Sequence, residues 1–181
     1  MFQVIIKTKL TISLTIALIF LFIVFVFCNY TLADDNKKPQ KHISINSVNL
    51  KTLREDEMEA VKNLKKTVEV LKSKYPGLML KDKAWLGTLN ASQHSVIQDQ
   101  FLSTENYVVI ASGDNKAKDI DLKVLDSKGK RLEFNVNKAK DAYVYIPKSN
   151  IYYPGEILKI IVYMHSTKQK PGVFALGVGF F

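Results

Sequence analysis

The chain predicts a mainly β protein, an antiparallel β-sandwich of about eight strands, jelly-roll-like, preceded by one amphipathic α-helix. Three observations predict it. From Leu78 onward, short apolar or alternating runs recur with turn residues between them and no helical pattern among them, as in a sandwich or barrel. At their centre, YVVIASGDNKAKDIDLKV (residues 107–124) reads as a buried strand, Tyr107 to Ala111, followed by a half-buried one, Asp119 to Val124. In the second strand Ile120, Leu122 and Val124 share one face and Asp119, Asp121 and Lys123 the other. Third, Met58, Val61, Leu64, Val68, Leu71 and Tyr75 recur at spacings of 3, 3, 4, 3 and 4, a single apolar stripe on an otherwise charged helix.

The N-terminus has the layout of an export signal spanning residues 1–33. Lys7 and Lys9 form a basic start, Leu10 to Cys28 carries no charge, and Thr31-Leu32-Ala33 offers small residues before Asp34-Asp35. An uncleaved anchor is the alternative, because an apolar run of this length spans a bilayer. Lipoprotein processing at Cys28 is disfavoured by Phe27, which stands where a small residue is required. Cleavage after Ala33 leaves residues 34–181, one domain in length and without cysteine, so its stability rests on an apolar core. Loss of Lys7 and Lys9 lowers the basic count from 26 to 24 against 17 acids, a net charge of +7. That balance favours acidic partners, or simply solubility. Basic clusters interleaved with aromatics are missing, so no nucleic acid is expected.

Residues 34–51 are polar and predict a flexible leader, with Ile43 and Ile45 as candidates for an edge strand. The helix follows over 52–77, with Thr52 and Glu55 in capping-box spacing, acids at its start, lysines toward its end and Pro76-Gly77 as its stop. Its stripe predicts docking on the sandwich; the alternative is a structural envelope protein dimerising through residues 58–75. The sandwich occupies 78–181. Its strands are Ala84 to Leu89, Ser95 to Phe101, the central pair, Arg131 to Val136 with Leu132, Phe134 and Val136 inward, Ala142 to Ile146, Ile157 to Met164 and Val173 to Phe181. Gly177 and Gly179 permit close packing in the last strand.

The strand ending in Phe101-Leu102, YVVIASGD, DIDLKVLDSKGK, the Ala142 to Pro147 strand, YPGEILKIIVYM and GVFALGVGF together resemble the bacterial pre-peptidase C-terminal type of β-sandwich over about residues 87–180. The resemblance implies an accessory or binding module of secreted, surface or periplasmic proteins, some of whose collagen-binding relatives hold calcium. The chain departs from the pattern by lacking a protease domain.

Chemistry-bearing residues are few. Asp114, Asn115, Asp119 and Asp121, with Glu105 as an addition, offer oxygen ligands of the kind Ca2+ takes. The competing reading makes Gly113-Asp114-Asn115 a turn and the other two aspartates a solvent face. Ser92, His94 and Ser95 lie together, which is the basis of a hydrolase alternative, but no GxSxG elbow accompanies them. Tyr143, Tyr145, Tyr152 and Tyr153 suit a ligand surface if exposed. The expectation is therefore a non-enzymatic binding or accessory module of the periplasm, cell surface or secreted fraction, with Ca2+-assisted adhesion to protein or glycan on the envelope or a host surface.

Overall fold

Nine antiparallel strands and one long helix stack in three layers in the computed structural model, which describes residues 40–168 and 170–181. These residues belong to a compact unit spanning Asn36–Phe181. The expected signal segment 1–33 and the first part of the expected leader lie outside the described residues. Among the described residues no helix is long and apolar enough to cross a membrane.

The strands are β1 (Lys41–Ser44), β2 (Met79–Leu89), β3 (Gln93–Phe101), β4 (Tyr107–Gly113), β5 (Ala117–Leu125), β6 (Arg131–Asn135), β7 (Asp141–Ile146), β8 (Glu156–Thr167) and β9 (Gly172–Phe180). The first sheet runs β1-β2-β9-β4-β7 and the second β3-β8-β5-β6. Without β1, the eight remaining strands have the double Greek key order of a jelly roll, every connection crossing between the sheets except the β5–β6 hairpin. Trp85, Phe101, Tyr107, Ile120, Ile160 and Phe174 meet between the sheets in the main core.

Helix α1 (Glu55–Lys74) covers the outer face of the first sheet. Val61, Leu64, Val68 and Leu71 of its stripe, joined by Ala60, bury against Leu86, Val108, Ile110 and Ala175. The stripe is therefore taken up within the chain, docked on the sandwich as expected, and the alternative of a dimer seam over residues 58–75 has no apolar row left to present among the described residues. The first sheet is thus enclosed on both sides, which is why β4 is buried along its whole length. Close approach of the helix depends on β9. A Cβ added at Gly177 would stand 2.9 Å from Leu80 and 3.3 Å from Leu64, and one at Gly179 2.7 Å from Leu78.

Three expectations need correction. Thr52 does not cap the helix: it ends a 3-10 turn (Leu50–Thr52) begun by Asn49, whose Oδ1 accepts from Lys51 N at 3.0 Å. Helix α1 starts at Glu55 instead, and Glu57 Oε2 accepts from Arg54 N at 3.1 Å. The leader is ordered from Gln40 onward, because β1 pairs with β2 and Asp82 Oδ1 accepts from Asn46 N and Ser44 Oγ at 2.9 and 2.8 Å. In β6, Val124 pairs with Glu133 and Leu125 with Arg131, so Leu132 is an extra residue. This bulge leaves Leu132 against the core but turns Phe134 outward, and Val136 beyond it is exposed as well.

Candidate binding face on the second sheet

The outer face of the second sheet has no helix over it among the described residues. Alternation along β8 points Leu158, Ile160, Val162 and Met164 into the core, and Ile157, Lys159, Ile161, Tyr163 and His165 to the other side. Pairing sets rows across this face. His94 stands opposite Tyr163, which stands opposite Asp121; Val96, Ile161, Lys123 and Phe134 form the next row. The rings of His94 and Tyr163 lie 5.1 Å apart and those of Tyr163 and His165 6.0 Å apart, giving a shallow aromatic strip. Beside it opens a cavity of about 220 Å³ lined by Asp121, Lys123, Arg131, Phe134, Tyr163 and His165 among others. The Arg131 guanidinium lies 4.4 Å from the centre of the Phe134 ring, a cation–π contact that holds the fork over an exposed edge strand.

Asp121 is the acid of this cavity and is only 7% exposed. Its Oδ2 lies 2.8 Å from His165 Nε2, and its Oδ1 accepts from Asn137 N at 3.2 Å. Burial pushes the Asp121 carboxyl above the usual range, with the charge of Asp119 adding to it, while His165 and the Asn137 N–H work in the opposite direction.

The four expected calcium ligands do not assemble. Asp114 Oδ1 accepts from Lys116 N and Ala117 N at 3.1 and 3.0 Å, closing the β4–β5 turn. Lys116 Nζ lies 3.2 Å from Asp56 and 3.9 Å from Asp114, and Asn115 N donates to Glu59 at 3.2 Å, so this turn is tied to α1. Asp119 and Asp121 instead belong to the outer face of the second sheet, away from the helix. Glu105 precedes β4 whereas Asp114 follows it, which separates them by the strand's length, about 20 Å. Among the described residues no three His, Cys, Asp or Glu side chains converge as a metal ion requires.

The hydrolase trio is divided by strand geometry. His94 faces outward onto Tyr163, whereas Ser95 is buried on the face of Ile97 and Phe101 and accepts from Gln40 Nε2. Ser92 sits at the β2–β3 turn with φ 62°, its N–H donating to Met164 O at 2.7 Å. The four tyrosines separate into two pairs. Lys74 Nζ donates to Tyr143 at 3.1 Å, and Tyr145 stacks on Tyr75 at 5.6 Å, so this pair closes the end of α1. Tyr152 and Tyr153 are well exposed and flank a separate cavity of about 230 Å³ beside Asp126 and Glu156.

Arg131, Tyr163 and His165 line this candidate site without having been singled out from the sequence, Phe134 was expected in the core, and Lys123 was placed only on a strand's outer face. A signal was present. Residues 157–164 are apolar on both faces of one strand, which calls for a cover on each side, and the chain offers a single helix.

Neither a family model nor a curated protein sequence matches this chain. Among solved structures it is similar to a low-affinity xylan-binding module, CBM86, from Roseburia intestinalis, with 12% identity, 57% of this chain and 81% of that one covered, and a TM-score of 0.37. It is also similar to the Aeromonas hydrophila PliG, a periplasmic inhibitor of g-type lysozyme, with 10% identity, 52% and 83% coverage and a TM-score of 0.34. A third likeness is to the carbohydrate-binding module CBM36 in complex with calcium and xylotriose, with 15% identity, 56% and 81% coverage and a TM-score of 0.31. At these values the likenesses assign no function.

Proposed function

We propose that the protein is an exported, non-enzymatic binding module that takes a glycan chain on the outer face of its second sheet. One observation carries the reading: an aromatic strip, His94–Tyr163–His165, lies open beside a shallow cavity whose walls bring together a carboxylate, an amide and a guanidinium. Sugar rings present flat C–H faces that pack on aromatic rings, and hydroxyls that both donate and accept hydrogen bonds. Tyr163 supplies the platform, with Asn135 contributing an amide and Arg131 donors, while Asp121 is held by His165 and the Asn137 N–H. The lining residues include no serine, threonine or cysteine nucleophile and only one carboxylate, whereas glycoside hydrolysis ordinarily uses two. Export rests on the uncharged segment Leu10 to Cys28 followed by Thr31-Leu32-Ala33.

Calorimetric titration of the protein against a panel of neutral and acidic oligosaccharides tests the reading. Binding is expected from at least one class, weakened about tenfold by Tyr163→Ala, a loss of ~1.4 kcal/mol. Tyr152→Ala, at the separate cavity, is expected to leave affinity unchanged. Silence across the panel, or equal affinity of wild type and Tyr163→Ala, would overturn it.

A further inference from the structure

We infer that the cavity beside the aromatic strip selects sugars bearing a carboxylate, held by Arg131 and Lys123. The inference rests on the glycan-binding reading and adds the charge class of the ligand. Both cations line the cavity, and among the described residues neither has an ion-pair partner. The one acid of the cavity is already engaged, by His165 Nε2 at 2.8 Å and by the Asn137 N–H. What the cavity offers an incoming ligand is therefore net positive.

The geometry narrows the class further. Arg131 stands over the Phe134 ring, so one face of its guanidinium is occupied and its orientation is restrained. A planar fork held in this way matches two carboxylate oxygens at once, while a lysine acts as a point charge. Lys123 pairs with Phe134 across β5 and β6, which places the point charge in the row adjoining the fork. Tyr163, opposite Asp121 on the next strand, is then positioned for the ring of the same or the adjoining sugar. A neutral sugar would leave both cations without a counter-charge, and the chain, at +9 whole and +7 without residues 1–33, draws acidic polymers toward it.

The test uses oligosaccharides containing glucuronate, galacturonate or mannuronate, each paired with its carboxyl-reduced, neutral counterpart, and a sulfated neutral oligosaccharide as a third arm. At least one acidic member is expected to bind the protein ten or more times tighter than its reduced partner. That preference should weaken when salt rises from about 50 to 200 mM. Arg131→Gln should bring the two within about threefold of each other without changing the melting temperature, since the residue is exposed. Lys123→Gln, independently, should lose part of the preference. If acid and reduced forms bind alike, or the sulfated arm binds tightest, carboxylate selection is overturned while glycan binding stands. If no member binds, the glycan-binding reading fails and this inference with it.

Discussion

Asp114 carries its carboxylate almost fully out of water because the β4–β5 turn supplies two backbone donors and Lys116 lies beside it. Asp114→Ala leaves the Lys116 and Ala117 N–H groups without their acceptor in a part-buried turn, so unfolding in urea should show a loss of about 1–3 kcal/mol. Millimolar calcium should leave the melting temperature of the wild type unchanged. Asp82 gives a pH prediction. Hydrogen bonds from Asn46 N and Ser44 Oγ hold its carboxyl below the ordinary value of 3.8. Its contribution is therefore complete above 3.8 and is lost as pH falls through the lower, folded value. The Asn46 amide resonance should titrate with a midpoint below 3.8, and Asp82→Asn should abolish that titration. At this scale the sequence was only half readable. Gly113-Asp114-Asn115 announced a turn, but which donors a carboxylate meets depends on what folds over it, here a helix that begins near residue 55.

The helix and the last strand show how much an element-level pattern conveys. The spacing of Val61, Leu64, Val68 and Leu71 gave the buried face of α1, and the glycines of GVFALGVGF pointed to close packing, though not to which partner. Gly177→Leu should cost about 1–3 kcal/mol by forcing Leu64 and Leu80 aside. Leu64→Ala should cost about 2–5 kcal/mol through the cavity it leaves between layers. Both are measured by thermal or chemical denaturation, and the double variant should depart from additivity because the two sites touch. Strand β6 was misread for a definite reason. Alternation predicts faces only while register holds, and the extra residue at Leu132 reversed the side on which Phe134 emerges.

For the molecule as a whole, strand count and jelly-roll character were legible because turns and alternation recur at short spacing over residues 78–181. The difference between the sheets was not, since it depends on which face the single helix chooses. That choice encloses the first sheet and leaves the second with Tyr163, Ile161 and Phe134 at its surface. The order β1-β2-β9-β4-β7 has a further consequence, in the time order of synthesis. The strand made last lies between two made early. Until β9 emerges, β2 and β4 each keep an unpaired edge, and α1 has no Ala175, Gly177 or Gly179 surface on which to settle. The growing chain can form the separate β1–β2 and β4–β7 ribbons but not the first sheet, so its cooperative structure arrives in one late event. A chain stopped before Gly172 should be digested by protease at concentrations that leave the whole protein intact. A chain arrested with β9 still inside the ribosome should be equally sensitive and become resistant on release. Resistance of either form before β9 is free would show that the sandwich closes without its central strand.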